Sequence, residues 1–223
     1  DVYKRQVKIG RERLIDRLIR VFMANDAEEI VVICNAVMTE VGLHLVKLQQ
    51  DGLDGRPVPL RFVVKSTPSS MHSFFEISRM LGDGPFCLTT VDTIFREEEF
   101  SRYIADFGAA VASGEYDGMM GVTDYIDDEK PLYADTDDAG MVTAYRDTPN
   151  GHDRSVSAGI YGLTTAALPV LEDCLAKGVS RMRNYQRALV DAGLSLRAWP
   201  IDKIVDVDHA GDIATARAFI TQK

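Results

Sequence analysis

Phe86-Cys-Leu-Thr-Thr-Val-Asp92-Thr-Ile-Phe95 reads as a buried strand that ends by presenting a carboxylate just ahead of a charge-rich helix. A short, continuous apolar run bounded in this way suits a strand covered on both faces. In an open α/β sheet, ligands collect beyond the carboxyl ends of the strands, where helix N-termini and loop amides converge. Asp92 at that address is a candidate magnesium or phosphate-site residue. It also suits an N-cap for the helix expected from Glu97, so both readings stand at this point.

Working outward, Leu14, Ile15, Leu18, Ile19 and Phe22 recur at helical spacing and predict an amphipathic helix over residues 12–24. Glu29-Ile-Val-Val-Ile-Cys34 is a second buried strand, followed by a helix over 39–50 that the glycine and proline cluster of residues 52–59 ends. A strand over 60–65 and a helix over 70–81 lead to the opening strand at 86–91, and a helix over 97–113 follows it. This βαβα order predicts an α/β fold of three layers (α/β/α), doubly wound around a mostly parallel mixed sheet. Beyond Tyr116 the order changes. Strands are expected over 117–122, 131–134, 141–145 and 157–163, helices over 165–176 and 181–191, a strand over 195–200 and a closing helix over 211–220.

A doubly wound sheet normally begins with its central strand, whereas here a helix comes first. Residues 1–10 are too polar for that strand. They are expected to be a non-native or disordered lead-in, with residues 11–223 forming one domain.

Composition narrows the partners. A chain of 223 residues with 46% hydrophobic content can bury a full core, and its net charge of −9 excludes a non-specific nucleic-acid binder. A local basic pocket for a phosphorylated small molecule remains compatible with that balance. Cys34, Cys87 and Cys174 lie far apart in apolar surroundings, the pattern of reduced core thiols. No apolar run approaches the roughly 18 residues of a membrane span, and no signal peptide is evident, so a cytoplasmic protein without a membrane partner is expected. The oligomeric state is not written in these features.

A second carboxylate cluster stands in Lys203-Ile-Val-Asp206-Val-Asp208-His-Ala-Gly-Asp212. Helix capping accounts for Asp212 and poorly for Asp206, which precedes the cap. If the segment before Asp206 lies beside the strand before Asp92, two carboxylates meet at one sheet edge. Magnesium is usually held by one or two carboxylates together with substrate phosphates, so such a pair suffices. Thr67, Ser69 and Ser70, in Lys65-Ser-Thr67-Pro-Ser69-Ser70-Met-His72, follow a strand and open a helix; they suit either substrate contacts or simple capping. The four histidines show no paired metal-ligand spacing. Arg181, Arg183 and Arg187 read as a solvated helix face rather than a phosphate clamp.

Val91-Asp92-Thr-Ile-Phe, then Ala158-Gly159-Ile160-Tyr161-Gly162, then Val205-Asp206-Val-Asp208-His-Ala-Gly-Asp212 occur in an order that resembles the sugar-phosphate nucleotidyltransferases. The opening helix Leu14-Ile15-Asp16-Arg17-Leu18-Ile19 is similar to the helix after that family's Lys-Pro-Leu segment. The resemblance runs over nearly the whole chain and implies a nucleotide-diphospho-sugar transferase-like fold. It implies that Asp92 and Asp206 are catalytic and, with Asp208, hold Mg2+. It further implies that Thr67, Ser69, Ser70, Thr90, Gly159 and Lys203 contact a nucleoside triphosphate and a sugar phosphate or similar acceptor. Two departures are visible. The family's Gly-rich loop, which cradles the nucleotide phosphates with backbone amides, would precede residue 11 and is not in the sequence. Where relatives carry Glu-Lys-Pro, this chain has Asp147-Thr148-Pro149, leaving Lys203 or Arg146 as substitutes for the lysine.

The implied chemistry is attack of an acceptor phosphate on the α-phosphorus, with pyrophosphate leaving. Such an acceptor is already anionic, so positioning and charge neutralisation carry the rate and no general base is needed. Rival readings are a metal-dependent glycosyltransferase on a related sheet and a non-catalytic nucleotide-binding domain. A haloacid-dehalogenase-type phosphatase, suggested by Asp206-Val-Asp208, is set aside because its acids follow the first strand.

Overall fold

The computed structural model describes residues 8–9, 12–126, 130–151, 154–207, 209 and 211–221. Strands β1 (Lys8–Ile9) and β2 (Glu12–Arg13) pair ahead of α1 (Leu14–Ala24). Then come β3 (Ile30–Cys34), α2 (Thr39–Asp51), β4 (Leu60–Val64), α3 (Ser70–Ser78), β5 (Phe86–Thr89), β6 (Thr93–Ile94) and α4 (Glu97–Ser113). The second half holds β7 (Gly118–Thr123), β8 (Tyr133–Thr136), β9 (Val142–Arg146), β10 (Val156–Leu163), α5 (Ala167–Ala176), α6 (Met182–Asp191), β11 (Leu196–Pro200), β12 (Val205–Asp206) and α7 (Asp212–Thr221).

The order of long elements is the expected one, and the sheet is mixed. β3 and β4 pair in parallel, with Ile30 beside Leu60 and Cys34 beside Val64. In the six-stranded sheet β10 is antiparallel to β5, β7 and β8, while β11 is parallel to β7. Four strands (β5, β7, β8 and β11) therefore run one way, and β10 and β9 run against them. The reversed strand at the centre is what βα alternation alone does not announce. β10 also explains why β5 stops at Thr89 rather than at residue 91. Its last rung there is Ile160 with Thr89, and the register then shifts at Gly159, whose φ of 71° marks the bulge.

Side-chain alternation on this sheet builds two cores. Met120, Tyr161, Leu163 and Ala198 meet α3, α5 and α6 on one face. Met119 and Ile160 meet α1 and α4 on the other, through Val21, Phe100, Tyr103 and Phe107. The result is the expected three-layer arrangement, in which each fully buried large apolar side chain contributes about 1.5–3 kcal/mol. α4 comes so close to β10 that only hydrogen fits at Gly162: a Cβ there would lie 2.7 Å from Tyr103 Oη and 2.9 Å from the Phe107 ring. A smaller core of Ile9, Leu14, Ile94, Val205, Val207, Ala216 and Phe219 joins β1, the start of α1, β6, β12 and α7. Ile9, within the stretch expected as a lead-in, is buried there. Among the described residues no helix is long and apolar enough to cross a membrane. Cys34 and Cys174 are buried and Cys87 is half-buried, with no disulfide.

Candidate functional site

Two-residue strands, too short to leave a periodic signal, build the centre of the site. β6 and β12 pair antiparallel, with Val205 opposite Ile94 and Asp206 opposite Thr93. The Val207 amide donates to the Asp92 carbonyl at 3.1 Å, so the pairing continues across Asp92 itself. The backbones carrying Asp92 and Asp206 thus meet at one edge, the juxtaposition on which a two-carboxylate site depends. Asp92 is half-buried in the turn before β6 and Asp206 is exposed on β12. Asp208 lies outside the described residues. Among the described residues no group of three or more His, Cys, Asp or Glu side chains is placed to hold a metal.

The surroundings fix these short strands. Arg17, buried on α1, donates from Nη2 to the Phe95 carbonyl at 2.7 Å, just beyond β6. Arg20 grips Glu12 and Glu97 together, tying β2 to the start of α4 and holding the Glu97 carboxyl below its ordinary range. Glu99, buried on α4, accepts the Asp202 amide at 2.8 Å, while Thr123 Oγ1 donates to the Asp202 carbonyl at 3.3 Å. Those two contacts pin the loop that delivers β12.

Several other expected residues gather on the same rung. Thr90 and Thr93 share a hydrogen bond of 2.8 Å between their hydroxyls. The bulge at Gly159 lies over Thr93, since a Cβ there would stand 3.5 Å from Thr93 Oγ1. Tyr161, two residues on, is buried, and its hydroxyl is pushed up to about 12, first by burial and further by the Asp206 charge. Its oxygen accepts from Gln186 Nε2 at 3.3 Å, and Ser157 Oγ donates to Gln186 Oε1 at 2.8 Å. Thr93 and Tyr161 stand inside two of the motifs that carry the resemblance, with no role of their own assigned there, and Gln186 has no signal in the sequence. An alternating strand such as Ser157-Ala-Gly-Ile-Tyr161 marks which residues share a face, not what they face.

Lys203 stays beside β12, with Nζ 4.1 Å from the Tyr125 ring centre and 5.6 Å from that of Phe219, a cation–π arrangement. Arg146 is instead committed to Asp135 on β8, whose other oxygen accepts from Asn150 at 3.0 Å. Of the two substitutes for a missing lysine, Lys203 stands on the segment that leads into β12, whereas Arg146 is held on β9.

The Thr67–Ser70 loop forms its own cluster. Thr67 Oγ1 is 2.6 Å from Ser73 Oγ, and Ser70 is the first residue of α3. Ser69 occupies the N-cap position without capping: its hydroxyl bonds the His72 ring at 2.8 Å and accepts from the Arg181 amide at 3.3 Å. The loop is thereby tied to the start of α6, and the arginines of α6 are not a plain solvated face. Arg183 and Arg187 both close on Asp147, each at 2.7 Å, and the carboxyl is held below its ordinary range, first by Arg187.

Solved structures share this architecture. The inositol-1-phosphate CTP transferase from T. maritima superposes with a TM-score of 0.74 at 14% identity, over 98% of this chain and 89% of that one. A putative glucose-1-phosphate thymidylyltransferase from Bacillus anthracis gives 0.81 at 14% identity, over 99% and 87%. A UDP-glucose pyrophosphorylase complexed with UDP-glucose gives 0.77 at 12% identity, over 97% and 89%. At these identities the likeness is one of fold. No curated protein matches the chain. The model of the nucleotidyl transferase family, however, matches residues 1–220, and the chain therefore belongs to the nucleotidyl transferase family.

Proposed function

We propose that the protein transfers a nucleoside monophosphate from a nucleoside triphosphate to a sugar phosphate or a similar phosphorylated acceptor. The observation that carries this reading is the β6–β12 pairing, which brings Asp92 and Asp206 to one edge beside Thr90, Thr93 and Gly159. The family match and the fold shared with transferases named for inositol 1-phosphate and glucose 1-phosphate support it.

In the reaction an oxygen of the acceptor phosphate forms a bond to the α-phosphorus. The bond from that phosphorus to the bridging oxygen breaks, and pyrophosphate leaves with the electron pair. The acceptor oxygen is ionised at neutral pH, so no proton has to be removed. Asp92 and Asp206 would hold Mg2+, and their hard oxygen donors fit that ion. Bound there, magnesium supplies charge neutralisation for the phosphates. Lys203 places a cation beside the same strand. Thr67, Ser69 and Ser70 present hydroxyls to the nucleotide, and the Gly159 bulge leaves open backbone over Thr93. The short strands supply rigidity, since productive geometry depends on holding both phosphates in line. The protein works in the cytoplasm on small phosphorylated substrates.

The test is pyrophosphate release with each nucleoside triphosphate, magnesium and a panel of sugar 1-phosphates. It is run on this chain and, where the gene encodes residues upstream of Asp1, with those in place. Release that needs both an acceptor and magnesium, and that Asp92→Asn and Asp206→Asn abolish, is the expected result. Hydrolysis of a nucleotide sugar in place of pyrophosphate release would overturn the reading in favour of a glycosyltransferase.

A further inference from the structure

β6 and β12 pair over only two residues each, and a ladder of two such short strands has little stability of its own. Its register nevertheless decides where Asp206 lies, because Asp206 is exposed between the buried Val205 and Val207. A slip of one residue would turn both valines outward and Asp206 inward. What holds the register is therefore whatever buries those valines. They share the small core with Ile94 of β6 and with Ala216 and Phe219 of α7. The chain itself ties α7 to this edge, since the helix begins at Asp212, shortly after β12. Its first turn is fixed in place, with the His209 amide donating to Asp212 Oδ2 at 2.7 Å.

Phe219 does more than fill that core. Its ring is buried and meets a cation from each arm of the site. Arg96, which follows β6 and precedes α4, sets its guanidinium 5.2 Å from the ring centre. Lys203, on the segment leading into β12, sets Nζ 5.6 Å from the same centre and 4.1 Å from that of Tyr125. Cation–π contacts draw both basic side chains onto the ring, so one aromatic residue ties the chain just after β6 to the chain just before β12. The core it belongs to is separate from the three larger ones, so this edge can loosen while the main sheet stays folded.

We propose that Phe219 is a positioning residue of the transfer site. From α7 it sets the register of β6 against β12, and through that register it brings Asp92 and Asp206 to one edge. Phe219 acts through Val205 and Val207 rather than on a substrate. Its catalytic consequence rests on the transfer reading above, whereas the register itself is open to direct measurement.

The experiment compares wild type, Phe219→Ala and Phe219→Leu by residue-resolved amide hydrogen exchange and by initial rates of pyrophosphate release. The Val207 amide, which donates to the Asp92 carbonyl, reports the register. In Phe219→Ala its exchange should quicken about 10-fold or more, while the amides of β7 and β10 exchange as in wild type. The same variant should lower kcat about 10-fold or more and change KM for the nucleoside triphosphate less than about 3-fold. Phe219→Leu keeps an apolar side chain there and should recover part of both losses. Faster exchange throughout the protein would mark general destabilisation and overturn the local role. So would a Val207 amide that keeps its wild-type rate in Phe219→Ala, or full pyrophosphate release after its protection is lost. If the wild type itself releases no pyrophosphate, selective loss of Val207 protection upholds Phe219 as the residue that sets the register and counts against the transfer reading alone.

Discussion

A Gly162→Ala substitution places a methyl group where α4 already touches β10. The new carbon would stand 2.7 Å from Tyr103 Oη and 2.9 Å from two atoms of the Phe107 ring. Neither neighbour yields easily. Tyr103 is fully buried, donates to the Met119 carbonyl at 2.7 Å, and has an edge contact with the Trp199 ring. Overpacking of this kind costs about 1–3 kcal/mol, and displacing the tyrosine hydroxyl from its acceptor adds about 1 kcal/mol. The sum of about 2–4 kcal/mol corresponds to a thermal midpoint lower by about 5–15 °C in a chain of this length. Calorimetry measures that shift, and urea unfolding gives the free energy independently. Tyr103→Phe removes the closest contact, so the double variant should lose at least about 0.5 kcal/mol less than the two single losses added. A Gly162→Ala protein within about 0.5 kcal/mol of wild type, or strictly additive losses, would refute the packing argument.

Asp92→Asn and Asp206→Asn should each lower magnesium-dependent pyrophosphate release about 100-fold or more, with the thermal midpoint nearly unchanged; full activity in either variant removes that residue from the site. Arg17→Met keeps the volume but deprives the Phe95 carbonyl of its charged donor, so it should cost about 1.5–3 kcal/mol in urea unfolding and loosen β6. Burial raises Tyr161 to about 12 and lifts Tyr103, Tyr145 and Tyr185 as well. Unfolded tyrosines ionise near about 10, so the folded state holds these protons longer. Stability should therefore be complete below about pH 10 and fall steadily from there towards pH 12, a loss that Tyr161→Phe reduces. Ultraviolet titration showing all eight tyrosines ionising together near pH 10 would contradict it.

The long elements were legible because their signal is local. Leu14, Ile15 and Ile19 are buried on α1 as their spacing implies, and the apolar run of β3 marks the strand, although only Ile30 and Cys34 of it are fully buried. The short elements were not legible. β6 and β12 exist because Ile94, Val205 and Val207 bury together with Ile9 and Phe219, a set drawn from both ends of the chain. The direction of β10 was equally hidden, since alternation assigns faces and is the same whichever way a strand runs.

By itself, the sequence determined the α/β class, the succession of helices and strands, and the placement of Asp92 and Asp206 just beyond apolar segments. Each of these follows from the spacing of neighbouring residues. Only the tertiary structure decided that Asp206 lies opposite Thr93, that Gly159 bulges over that rung, and that Arg181, Arg183 and Arg187 surround a cavity with Lys130. These are contacts between distant segments, and their partners are chosen by how the whole core packs rather than by any local pattern.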